Sequence, residues 1–153
     1  LKTLRVAVCE SMDESLCTMI NSGLGTNKTL QSVELCSVHL TDDNFDLWHR
    51  AFSFLRTNKA LKSLIITLES NVMESCLSAF RIDIAVMLED NASLESLSIQ
   101  NLYTFKVGAE EYVAVIAALQ HNRTLKTLRF HHYSITRLTD DEDKQMVSLL
   151  KKN

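Results

Sequence analysis

The sequence predicts an α/β solenoid built from repeated strand–helix units, and three observations predict it. The phrase Asn-x-x-Leu-x-x-apolar-x-apolar recurs at Asn27, Asn58, Asn91 and Asn122, each time followed by a stretch of helical periodicity. The asparagines are 31, 33 and 31 residues apart (27 to 58, 58 to 91, 91 to 122), and Asn153 stands another 31 on. Counting back three from each Asn gives Leu24, Leu55, Leu88, Leu119 and Leu150, and counting back seven gives Ile20, Ala51, Ile84, Val115 and Met146. Periods of this length mark stacked repeats, because one strand–helix unit cannot bury its own apolar side and needs the next unit against it.

The chain opens inside one copy, at Leu1, Leu4 and Val6. Thr3 to Ala7 alternates around Leu4 and Val6, the period-two pattern of a strand with one buried face. Asp13 opens a helix with apolar positions Leu16, Cys17, Ile20 and Leu24, and Gly23 with Gly25 predicts fraying or an early end in its last turn. The second unit has a strand near Ser32 to Cys36 and apolar anchors at Val38 and Leu40. Thr41-Asp42-Asp43 then offers side-chain oxygens to exposed backbone N–H groups. The helix that follows carries Leu47, Ala51, Phe52 and Leu55 inward, with Trp48 and Phe54 widening that face.

In the third unit Leu64-Ile65-Ile66 precedes a polar loop, Glu69-Ser70-Asn71, and a helix from about Ser75 to Asp90. Its inward stripe is Leu77, Phe80, Ile84, Met87 and Leu88, at spacings of three and four. The fourth unit reads as strand Ser96 to Gln100, a loop exposing Tyr103 and Phe105, and a helix from about Ala109 with Tyr112, Val115, Ile116 and Leu119 inward. The last has strand Thr127 to His131 and anchors Tyr133 and Ile135. Thr139 and Glu142 fit a capping box there, Lys151-Lys152 opposes the helix dipole, and Met146, Val147, Leu149 and Leu150 face inward.

Composition bounds the function classes. At 153 residues, 46% hydrophobic and 23% charged, the chain has the material for a single domain over 1–153, about five units, read as a fragment of a longer array. A net charge of -3 argues against nucleic acid and against an anionic membrane surface, both of which call for a concentrated basic face. No apolar run approaches the roughly 20 residues of a membrane-spanning helix. The four cysteines, Cys9, Cys17, Cys36 and Cys76, form no C-x-x-C pair, which fits a reduced, cytoplasmic compartment. Asn27, Asn91 and Asn122 each begin a formal glycosylation sequon, but all three occupy one phase of the repeat, so a single structural requirement accounts for them together.

These residues resemble the leucine-rich repeats of the ribonuclease-inhibitor-like class, with L-x-x-L-x-L on the strand and a full helix ending in Leu-x-x-Asn. The resemblance implies parallel strands lining a concave face, helices on the convex one and right-handed crossovers, the usual hand of parallel connections. That family places Asn or Cys three residues after the last apolar strand position. Here the position holds Cys9, Val38, Glu69, Leu102 and Tyr133, so only the first copy keeps the pattern. The segment from Ile84 to Leu94 is similar to tropomodulin-type repeats, which cap actin filaments at the pointed end; that resemblance implies actin as a candidate partner.

No catalytic constellation emerges. The three glycines, Gly23, Gly25 and Gly108, form neither a phosphate-cradling nor a dinucleotide loop, and no cofactor is expected. His131-His132 with Asp140 to Asp143 is better read as a strand end and a helix start than as a metal cluster, since adjacent strand residues point to opposite faces. The expectation is a non-enzymatic module that binds another protein or an extended peptide. Its candidate contact residues are the outward strand positions Arg5, Glu34, Ile65, Thr67, Ser98, Gln100, Arg129 and His131, with Cys36 as a thiol on the same face. Uncovered solenoid ends, at Leu1, Leu4 and Val6 and at the helix from Met146 to Leu150, make self-association a further expectation.

Overall fold

In the computed structural model, residues 1–8, 12–68, 74–101 and 109–131 are described, with Lys144, Ser148 and Lys151. The side chains of 42, 74–78, 101, 109–112, 130 and 131 are not. The elements run β1 (Thr3–Ala7), α1 (Glu14–Thr26), β2 (Ser32–Val38), a 3-10 turn (Asp42–Asn44), α2 (Phe45–Phe52), α3 (Phe54–Thr57), β3 (Ser63–Leu68), α4 (Glu74–Asp90), β4 (Ser96–Asn101), α5 (Ala109–His121) and β5 (Thr127–His131). All five strands are parallel and lie in sequence order, each displaced from the last by one repeat. Leu4 stands beside Val33, Val33 beside Leu64, Leu64 beside Leu97 and Leu97 beside Leu128.

The helices follow the same order. α1 packs on α2 and α3, these pack on α4, and α4 packs on α5. Both rungs anticipated from the repeat are buried between the layers: Leu24, Leu55, Leu88 and Leu119, then Ile20, Ala51, Ile84 and Val115. Leu4 and Val6 are only half-buried, because β1 has a neighbour on one side alone. The inward positions from Tyr133 to Leu150, the loop aromatics Tyr103 and Phe105, and the side chains of Leu77 and Tyr112 lie outside the described residues.

The repeated asparagines tie unit to unit. Asn122 accepts from the backbone N–H groups of Thr124 (2.9 Å) and Leu125 (2.8 Å), while its amide donates to the carbonyls of Leu88 (2.7 Å) and Asn91 (2.9 Å). Asn58 does the same with Ala60, Leu61, Leu24 and Asn27. Asn91 accepts from Ser93 and Leu94 and donates to Leu55. Each side chain thus closes a turn and satisfies a helix-end carbonyl of the preceding unit, groups that would be costly to leave buried without a partner. This is the structural requirement behind the shared phase of the three sequons. Asn27, in the first rung, keeps only the accepting half, to Thr29 and Leu30.

Several local expectations change. α1 starts as anticipated, with Asp13 accepting from Leu16 N–H at 2.7 Å, but it runs through both glycines to Thr26 rather than ending early. A Cβ on Gly25 would stand 3.4 Å from Thr57 Oγ1 and 3.6 Å from Phe54 Cβ, so close packing against α3 offsets the weak propensity. The second unit's single helix is broken at Ser53, whose hydroxyl donates to Arg50 O at 2.7 Å. Leu47 is half-buried, whereas Trp48 and Phe54 are fully buried, so the aromatics are core residues rather than flanks. Trp48 Nε1 donates to His39 O at 3.0 Å, which satisfies the one polar group of the buried indole. Of the Thr41-Asp42-Asp43 stretch, Thr41 forms a capping box with Asn44, whose side-chain oxygen receives the Thr41 N–H at 2.9 Å. Ile116 is half-buried rather than inward.

β2 runs two residues past Cys36 to Val38, and its register with β3 shifts between Leu35 and Val38. At this bulge Ser37 holds a φ of 58°, the left-handed region that a Cβ disfavours. Ser37→Gly is therefore expected to be at least as stable as the parent, and Ser37→Val about 2 kcal/mol less stable than Ser37→Gly. Urea midpoints of the two variants check it; equal midpoints would refute strain at this position.

Candidate functional site: the open sheet face

Alternation decides what each strand shows. Leu4 and Val6, Val33 and Leu35, Leu64 and Ile66, and Leu97 and Ile99 point toward the helix layer, so the residues between them lie on the opposite face. The parallel register aligns these in rows across the sheet. One row is Arg5, Glu34, Ile65, Ser98 and Arg129. A second row, Thr3, Ser32, Ser63, Ser96 and Thr127, holds only small hydroxyl side chains. Thr67, Gln100 and His131 form the third, which the β2 bulge interrupts on the side of Cys36. All eight candidate contact residues therefore fall in two adjacent rows of one face.

Charge is distributed unevenly along the central row. Arg5 Nε lies 3.2 Å from Cys36 Sγ and 3.4 Å from Glu34 Oε1, and the thiol donates to Glu34 at 3.5 Å. The hydrogen bond to Cys36 and then the nearby Glu34 carboxylate push the Arg5 guanidinium above its ordinary value. The positive end at Arg5 is thus answered within the protein. The link between Arg5 and Cys36 spans one repeat length, so the 31-residue period was the signal that could have found it. At the other end Arg129 is exposed, and among the described residues nothing pairs with it.

Ser98 departs from the expectation of an accessible contact. It faces the same way as its row but is 7% exposed, and its Oγ has no hydrogen-bond partner. Ile65, Thr67, Glu34 and Gln100 are half-buried; for His131 the backbone position alone is described.

Below this face a bridge links three strands. Glu95 lies between Lys62 (3.1 Å) and Lys126 (2.9 Å), and hydrogen bonds from Lys126 and then Lys62 hold its carboxyl below the usual carboxylate range. The two cavities beside the sheet lie elsewhere. One of about 720 Å³ runs along the repeat turns by Lys28, Gln31, Lys59 and Lys62. The other, about 380 Å³, opens beside β1 between Leu4, Val6, Met19 and Leu30. Among the described residues no group of three His, Cys, Asp or Glu side chains could hold a metal ion. Residues 132–143, which include the rest of the histidine–acidic stretch, lie outside the described residues. Cys17 and Cys36 are free thiols. No described helix is long and apolar enough to cross a membrane.

No protein-family model matches the chain, and a search of curated proteins finds no match. Solved structures do. A structure of leiomodin-1 actin-binding site 2 superposes with a TM-score of 0.66 at 16% identity, covering 99% of this chain and 79% of that one. The Caenorhabditis elegans tropomodulin C-terminal domain superposes with a TM-score of 0.59 at 13% identity, covering 99% of this chain and 83% of that one. At such identities the likeness concerns the fold: a parallel five-stranded sheet backed by helices, as in tropomodulin-type domains.

Proposed function

We propose that this chain is a non-enzymatic protein-binding module, a right-handed solenoid that meets another protein or an extended peptide with the open face of its sheet. The observation that carries the reading is the register, which lines up Arg5, Glu34, Ile65, Ser98 and Arg129 in one row on the face away from the helices. Strand pairing holds the backbone of these residues in place before a partner arrives, so little ordering cost remains to be met on binding. A pull-down with the parent protein beside Ile65→Lys/Arg129→Glu tests it. The parent is expected to retain a partner that the variant loses while unfolding at the same temperature. A partner retained equally by both would remove this face from the reading.

A second reading, an actin-filament pointed-end cap, is favoured by the shared fold with leiomodin-1 actin-binding site 2. Pointed-end elongation assays decide it: slowed elongation supports the cap, and unchanged elongation at saturating protein removes it. Under either reading the compartment is intracellular.

A further inference from the structure

The β4–β5 end of the open face holds two groups that lack partners among the described residues and sit side by side. Ser98 and Arg129 are register partners on neighbouring strands, and Ile65 flanks Ser98 on the other side. Ser98 is more than nine-tenths buried and its hydroxyl bonds to nothing. A buried hydroxyl without a partner is destabilising, and a polar group brought to it by a ligand would relieve that cost. Arg129 indicates its charge. The guanidinium is exposed and has no counter-ion among the described residues, whereas Arg5, at the far end of the same row, is already matched by Glu34. Among the described residues the row therefore carries uncompensated positive charge at one end only.

We propose that Ser98 and Arg129 receive a carboxylate from an acidic extended segment of a partner protein, whose apolar side chain rests on Ile65. Guanidinium donors suit a carboxylate geometrically, and the Ser98 O–H can donate to the same group once Arg129 swings toward it. With neighbouring strands roughly 4.8 Å apart, Ile65 and Arg129 are separated by about 10 Å, so the acid and the apolar residue should lie three positions apart in a polyproline-II segment, whose three-residue turn of about 9 Å returns both side chains to one face. The inference rests on the open face being the binding surface.

The probe is a pair of terminally blocked peptides, one with Leu and Glu three residues apart and one with Gln replacing the Glu, each titrated against the isotope-labelled protein by NMR. The Glu peptide is expected to shift the Ile65, Ser98 and Arg129 resonances and to bind about tenfold tighter than the Gln peptide, with the advantage shrinking as salt rises. Arg129→Gln should abolish that advantage with no change in melting. Ser98→Ala should weaken the Glu peptide about threefold yet raise the melting temperature, an opposition that loss of a merely structural side chain would not give. Equal binding of the two peptides, or shifts confined to other surfaces, would overturn the proposal. If the Glu peptide fails while the Ile65→Lys/Arg129→Glu variant still loses its natural partner, the acidic chemistry is wrong and the binding face stands; if that variant keeps its partner too, both fall.

Discussion

Replacing Asn122 with alanine is expected to lower the unfolding free energy by about 4 kcal/mol, because it leaves several buried backbone groups unpaired at once. The side chain is 1% exposed and makes five hydrogen bonds, three within its own turn (two of them from backbone N–H groups) and two to carbonyls of the preceding unit. The control is Asn27→Ala. Asn27 occupies the same phase but is half-exposed and only accepts, so its loss should cost about 1 kcal/mol, the range of an ordinary turn or cap interaction. Urea unfolding followed by circular dichroism, with slopes compared as well as midpoints, measures both. Equal losses at the two positions would mean that the ties between units contribute little. Asn122→Asp should also be strongly destabilising, since a carboxylate keeps the two accepting bonds but loses both donors and brings a buried charge.

Phe52→Ala should be comparably severe, about 3–5 kcal/mol. Phe52 is 1% exposed at the end of α2, where its ring stacks on Trp48 (centroids 5.5 Å apart), meets Phe80 of α4 edge-on (5.3 Å) and tilts against Phe54 of α3 (6.2 Å). No other described ring contacts three more, so a truncation here opens a cavity where two neighbouring units meet. Phe52→Leu keeps much of the volume and is expected to cost roughly 1–2 kcal/mol. Val113→Ala, on the outer surface of α5 at 67% exposure, should fall within about 0.5 kcal/mol of the parent. The order Phe52→Ala, Phe52→Leu, Val113→Ala in decreasing loss is the expected result. A Phe52→Ala loss no larger than that of Val113→Ala would refute the aromatic junction.

The two predictions divide the stability between polar ties and apolar filling, and the division explains the repeat. Apolar filling admits different side chains at the seven-back rung, which runs through Ile20, Ala51, Ile84 and Val115, whereas the three-back rung is Leu in every copy. The asparagine position does not vary in the chain. Its four-way geometry needs an acceptor and a donor on one short planar side chain, at a point that is buried in the inner units. On the open face no such constraint acts, and the central row runs through Arg5, Glu34, Ile65, Ser98 and Arg129 without a shared chemistry.

Much of the architecture was legible from the sequence alone, for a physical reason. Period and alternation are local properties written several times over: Thr3–Ala7 and Thr127–His131 are strands with the anticipated bounds, and Leu24, Leu55, Leu88 and Leu119 are buried at one phase. The face carried by Arg5, Ile65 and Arg129 followed as well, since a strand's period of two leaves one choice once the core side is known. What only the tertiary structure decided is whatever depends on a neighbouring unit. Gly25 stays helical because α3 packs against it, and α2 breaks at Ser53, whose hydroxyl reaches Asn21 of α1 at 3.0 Å. The pairing of Arg5 with Cys36 and the enclosure of Ser98 beside Arg129 belong to the same class. Such contacts join residues about thirty positions apart, where helix and strand propensities carry no information and only the stacked register sets who meets whom.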